Sequence, residues 1–184
     1  MKKVFLAFVI LIFGVGVYYV WSTRSVSKKT GQEEKDMGTL SVTSSAFQHN
    51  GTIPLKYTCD GEDISPPLSI SGVSDETKSL VLIMDDPDAP VGTWDHWVVW
   101  NINPATKEIT ENSVPSGSVE GKTSSGQNQY GGPCPPSGTH RYFFKFYALD
   151  TLLDLSVTSG KKDVEKAMEG RILDKTEIIG LYKR

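Results

Sequence analysis

The chain has 184 residues, a length that fits one domain of ordinary size. Hydrophobic residues make up 38% and charged residues 22%, which supplies a folded core and argues against global disorder. With 19 Lys and Arg against 22 Asp and Glu the net charge is -3, so nothing favours a nucleic-acid partner, whose phosphates call for a clustered basic surface.

Residues 1–21 differ from the rest. Lys2 and Lys3 precede an uninterrupted apolar or Gly run from Val4 to Trp21, a stretch of 18 residues with no polar face. That is just long enough to cross a bilayer. Tyr18, Tyr19 and Trp21 fit an interfacial aromatic belt, and Val20-Trp21-Ser22 is a poor match to a cleavage site. The expectation is a membrane anchor over residues 4–21 with the domain on the extracytoplasmic side; the alternative is a cleaved signal and a secreted domain. Without residues 1–21 the chain keeps 17 basic and 22 acidic residues, a net charge of -5. Residues 22–38 are polar and charged and are expected to form a flexible linker. Residues 39–184 form the predicted globular domain.

Within that domain short β-type runs dominate. Leu40–Phe47 is the first candidate strand. Ser79–Asp86 is apolar on both faces until it reaches two aspartates. In His96–Ile102, alternation places His96, Val98, Trp100 and Ile102 on one face, and Trp97 and Val99 on the other. Arg141–Asp150 sets Tyr142, Phe144 and Phe146 against Phe143 and Tyr147. Strands this apolar on both sides predict a sheet covered on both faces. One helix is expected, N-capped by Ser159, carrying Val164, Ala167 and Met168 at helical spacing and closed by Gly170. Leu173–Leu181 reads as a short helix mixed with a last strand. The fold class is mainly β.

Three polar clusters stand at strand ends. Asp85-Asp86-Pro87-Asp88-Ala89-Pro90 follows an apolar strand, and its prolines end strand pairing. Trp94-Asp95-His96-Trp97 opens the next strand. The third runs from Tyr130 to Tyr142, where Gly and Pro alternate and His140 and Tyr142 share one strand face. Each alone reads as a solvated turn or a structural hydrogen-bonder; together they form a set that one sheet rim would collect.

The stretches DPDAP…WDHWVVWNI (86–102) and YGGPCPPSGTHRYFFKFYALD (130–150) resemble the two signature regions of the phosphatidylethanolamine-binding protein family. CDGEDISPPLSI (59–70) is similar to the segment that precedes them in the bacterial and archaeal branch, often called Raf-kinase-inhibitor-like. The resemblance covers residues 39–184, with a looser match in GKTSSGQNQ (121–129). It implies a phosphatidylethanolamine-binding-protein-like fold, a large central antiparallel sheet with a smaller sheet and a few helices. It also implies a pocket for small phosphate-bearing or carboxylate ligands. By motif position the ligand-binding residues are Asp86, Pro90, His96, Gly132, Pro136, His140 and Tyr142, with Trp94 and Tyr130 at the rim. Two imidazoles, a phenol and backbone N–H groups of the Gly-rich loop would donate to anion oxygens. Asp86 would orient a histidine or pair with a ligand amine.

The resemblance therefore predicts a ligand-binding protein with a regulatory role, not an enzyme, with no catalytic residues, no metal and no cofactor. One alternative is a protein partner, a kinase or protease that the domain inhibits. The other is metal-assisted phosphoester hydrolysis on Asp86, Asp88, His96 and His140. With the domain placed beyond a membrane, Cys59 and Cys134 are expected to form a disulfide that braces the Gly/Pro loop.

Overall fold

The computed structural model describes residues 39–184. Its strands are β1 (Ser41–Thr43), β2 (Gly51–Thr52), β3 (Leu68–Ser71), β4 (Ser79–Asp86), β5 (Trp94–Ile102), β6 (Glu108–Ile109), β7 (Val119–Glu120), β8 (Thr139–Leu149) and β9 (Ile172–Lys183). One α-helix, α1 (Lys161–Met168), lies between β8 and β9. A six-stranded sheet has the order β2-β9-β8-β4-β5-β7, and a three-stranded sheet the order β1-β3-β6. All pairings are antiparallel except that of β2 with β9.

Both faces of the large sheet are covered, as the two-sided apolar strands predict. On one face Leu80, Leu82 and Met84 of β4 join Tyr142, Phe144 and Phe146 of β8 and meet Val42, Leu68, Ile70 and Ile109 of the small sheet. On the other, Val81 and Ile83 pack with Val98, Trp100 and Leu149 under Val164 and Met168 of α1. Every residue of β4 is buried, the two aspartates included.

The alternation read into β5 is broken twice. The register passes from Leu80↔Ile102 to Leu82↔Val99, and from Met84↔Trp97 to Asp85↔Asp95, so β5 spends an extra residue at each step. A bulge inserts one residue and re-aims its neighbours. At the first, Asn101 takes a positive φ of 56° and Ile102 crosses to the face of Trp97 and Val99. At the second, His96 is the extra residue, and its ring packs edge-on against Tyr142 of that same face at 5.2 Å. Val98 and Trp100 stay on the helix side. The predicted common face of His96, Val98, Trp100 and Ile102 is therefore wrong at both ends.

Other boundaries shift for local reasons. The N-cap of α1 is Gly160 rather than Ser159, and the Asp163 carboxylate accepts the Gly160 N–H at 3.0 Å. Gly170, with φ of 71°, sits just past the helix end. Leu173–Leu181 contains no helix: β9 is a continuous strand paired along its length with β8. The first strand is shorter than Leu40–Phe47, because Ser44 Oγ donates to the Pro67 carbonyl and turns the chain.

The localisation drawn from the sequence is not supported. Among the described residues no helix is long and apolar enough to cross a membrane, and the span read at residues 4–21, like the linker at 22–38, lies outside the described residues. The anchored, extracytoplasmic placement is accordingly corrected. The bridge that was inferred from it is nonetheless formed, between Cys59 and Cys134.

Candidate functional site

Where β4, β5 and β8 reach one end of the large sheet, the chain turns through the three polar clusters. Between them lies a cleft of about 450 Å³. Asp86, Pro90, Trp94, His96, Tyr130, Gly132 and Pro136 all line it, as the motif positions predict. His140 and Tyr142 do not line it. His140 acts from behind Asp86, which accepts its Nδ1–H at 2.7 Å, and both residues are buried. Tyr142 lies beneath the His96 ring and is fully buried. Asp86 thus orients a histidine, and its second oxygen caps the following turn by accepting the Asp88 N–H at 2.8 Å.

The bulge at His96 is held by the glycine loop. The His96 carbonyl accepts the Gly131 N–H at 2.9 Å, and the His96 ring places Nδ1 2.7 Å from the Gly131 carbonyl. A carbonyl only accepts, so Nδ1 carries the proton and Nε2 is left with a free lone pair. Nε2 is buried and has no hydrogen-bond partner. The Gly132 N–H donates to Asp63 Oδ1 at 2.6 Å. Both glycine N–H groups are therefore spent within the protein, which corrects the expectation that they serve a bound anion. Gly132 also tolerates no side chain: a Cβ there would stand 2.8 Å from the Thr58 Cα and from the Tyr57 carbonyl.

Tyr130 is tied down as well. Its hydroxyl donates to the Tyr57 carbonyl at 2.7 Å and its ring stands edge-on to Trp97 at 5.5 Å. Burial holds its pKa well above 10.0. Burial, followed by the charge of Asp86, likewise pushes the Tyr142 hydroxyl up, with the Cys134 backbone opposing. That opposition falls short of a full hydrogen bond, and the Tyr142 hydroxyl is buried without a partner.

Sequence reasoning left out several lining residues: Asp63, Asp95, Thr123, Ser125, Gln129 and both cysteines. Asp63 falls within the CDGEDISPPLSI segment, so its place near the site was available from the motif. The loop carrying Thr123 to Gln129 is the stretch where the resemblance is loosest. Asp88, offered as a metal ligand, is turned away: it accepts the backbone N–H, Nε–H and Nη2–H of Arg141 at 3.0, 2.8 and 2.7 Å. Among the described residues no group of three or more His, Cys, Asp or Glu is placed to hold a metal ion.

Burial is the largest influence on His96 and lowers its pKa below the ordinary 6.5, against the Gly131 hydrogen bond and the charges of Asp86, Asp95 and Asp63. The unfolded chain then binds a proton that the folded chain resists. This contribution to stability is complete above pH 6.5 and is lost as the pH falls through the depressed folded value. Urea unfolding of wild type and His96→Gln should diverge in slope on acidification from about pH 7 to about pH 5, with the variant flatter. Parallel slopes would place the acid sensitivity elsewhere.

The fold is a two-sheet β domain with a cleft of buried, fixed polar groups at one sheet end. The family model for phosphatidylethanolamine-binding protein matches residues 43–183. A UPF0098 protein of Methanothermobacter thermautotrophicus is 54% identical over 150 residues, 79% of this chain and 99% of that one. A crystal structure of a phosphatidylethanolamine-binding protein homologue from Chlamydia trachomatis superimposes with a TM-score of 0.77 at 41% identity, covering 80% of this chain and 99% of the other. YbcL of E. coli, described as a new member of the mammalian family, gives 0.74 at 30% identity, over 79% and 98% of the two chains. This chain belongs to the phosphatidylethanolamine-binding protein family.

Proposed function

We propose that the cleft binds a small phosphate-bearing or carboxylate ligand, and that the protein acts by binding and not by catalysis. The observation that supports this most is the unpartnered Nε2 of His96, buried at the cleft with its ring fixed by Gly131. A buried polar atom without a partner costs free energy, and a ligand that supplies the partner recovers it. The walls suit a small molecule: Trp94, Tyr130, Pro90 and Pro136 give apolar and aromatic surface beside a few placed polar groups. Asp86 and His140 are engaged with each other.

Calorimetric titration with phosphorylethanolamine is the test. A few hydrogen bonds at about 0.5–3 kcal/mol each predict a Kd on the order of micromolar to millimolar. His96→Ala/His140→Ala should abolish the heat of binding. A folded double variant that binds as wild type does would move the site elsewhere. Turnover of phosphomonoesters or phosphodiesters by purified protein would overturn the non-enzymatic part of the reading.

A further inference from the structure

A second cleft, of about 360 Å³, adjoins the first and shares with it only Asp63, Gln129 and Tyr130. Tyr130 is a fixed part of that common wall, since its hydroxyl is bonded to the Tyr57 carbonyl and its ring stands against Trp97. The rest of the second wall includes Ser65 before β3, Trp97 of β5 and Glu120 of β7. Its charged residues are Asp63 and Glu120, and among the described residues no Lys, Arg or His lines it. One oxygen of each carboxylate is used: Asp63 Oδ1 accepts the Gly132 N–H at 2.6 Å, and Glu120 Oε1 accepts the Trp97 Nε1–H at 2.7 Å. The second oxygen of each has no hydrogen-bond partner among the described residues. Ser65 is an independent sign of a ligand. It is 4% exposed, it lines this cleft, and its hydroxyl makes no hydrogen bond among the described residues. Polar side chains buried to that extent are ordinarily bonded.

We infer that this second cleft binds the primary ammonium group of a small organic amine. An ammonium carries three N–H donors and no acceptor. That inventory matches two free carboxylate oxygens and one free hydroxyl in a wall without a competing cation. The volume suits a small organic molecule and not a bare ion. Among the described residues no group of three or more His, Cys, Asp or Glu is placed to hold a metal, so the carboxylates serve hydrogen bonding and not coordination. Trp97 and Tyr130 add aromatic surface against which a short alkyl chain packs. The inference stands apart from the reading of the first cleft, because neither His96 nor Asp86 takes part in it.

The probes are butylamine and butyltrimethylammonium, titrated at a pH of about 7 into the isotope-labelled full chain and followed by NMR. Both carry one positive charge there, and only butylamine has N–H groups on its nitrogen. The reporter is the indole N–H signal of Trp97, which donates to Glu120 and is assigned by its loss in Trp97→Phe. Butylamine should move that signal to saturation with a Kd on the order of millimolar, about tenfold or more tighter than butyltrimethylammonium. Glu120→Gln keeps an oxygen for the Trp97 indole but removes the charge, and should weaken butylamine about tenfold. Ser65→Ala should weaken it about threefold. Asp95→Asn alters a carboxylate that lines the first cleft and not the second, and should leave butylamine binding as in wild type. Equal affinity for the two probes overturns the inference, because charge alone would then attract them. Weakening by Asp95→Asn with Glu120→Gln unaffected overturns it as well and places the amine in the first cleft. Absence of any saturable shift with butylamine also overturns it, and leaves the phosphorylethanolamine titration to decide the first cleft by itself.

Discussion

Replacing Cys59 and Cys134 together by serine should lower the stability of the protein by about 4 kcal/mol, the loop-closure entropy of a bridge that spans 75 residues. For a domain of this size that corresponds to a fall in Tm of about 10–15 °C. The effect is large because of what the bridge joins. Cys59 follows the short turn Leu55–Tyr57, and Cys134 sits in the loop that carries Gly131 and Gly132. Around the bridge the Cys59 N–H donates to the Pro133 carbonyl at 3.2 Å, and Tyr130 reaches back to Tyr57. These bonds hold the loop locally but span little of the chain entropy that the covalent link removes. Both cysteines line the cleft, so the serine pair should also loosen ligand binding. Thermal unfolding of the two proteins side by side checks the first effect. A change of less than about 1 kcal/mol would mean that the loop is held without the bridge.

Lys161→Met should cost about 3 kcal/mol, the scale for breaking a buried ion pair from one side. Asp85 is fully buried on the helix face of the large sheet. One of its oxygens accepts from both Lys145 and Lys161, and the other has no partner. Lys161 is the first residue of α1 and also stands 3.4 Å from Asp95. Burial works against its charge, but the bond to Asp85 and the surrounding carboxylates outweigh this and raise its pKa above 10.5. Removing it leaves a buried carboxylate served only by Lys145, which is more exposed. The companion variant Asp85→Leu/Lys161→Met removes both charges and should recover most of the loss, since apolar replacement of a whole buried pair is often neutral. Urea unfolding of the single and double variants reads the two values. Equal losses in both would show that packing of α1, not charge, carries the effect.

The sequence makes some features of the fold legible and hides others for identifiable reasons. Ser79–Asp86 is readable because a run apolar on both faces, closed by two acids and a proline, has few other solutions. The rim of the sheet is readable because three motifs, each odd in composition, fall at strand ends. The faces of β5 are not readable, because strict alternation carries no mark of the bulges at His96 and Asn101. Those bulges depend on pairing with β4, a partner distant from neither motif nor strand but invisible to local pattern. The same holds for the donors of the cleft. Gly131 and Gly132 look free to bind an anion until their partners, the His96 carbonyl and Asp63, are brought beside them by the fold. His140 and Tyr142 lie at the same sheet end as Asp86 and His96, but beneath the cleft and not on its surface.

The strand Ser79–Asp86 has a consequence for which insertions and deletions the domain can accept. A one-residue slip turns every side chain of a strand to the opposite face, and a half-polar strand resists it because oil would meet water. Here both faces are buried, so Leu80 to Met84 would find apolar company in either setting. What distinguishes the two settings is the pair at the end. Asp85 answers two lysines on the helix face, and Asp86 answers an imidazole on the cleft face. Deleting one residue from the strand would turn each carboxylate to the opposite face, away from its partners. The acids that end the strand thus act as its vernier, fixing a register that hydropathy alone leaves ambiguous.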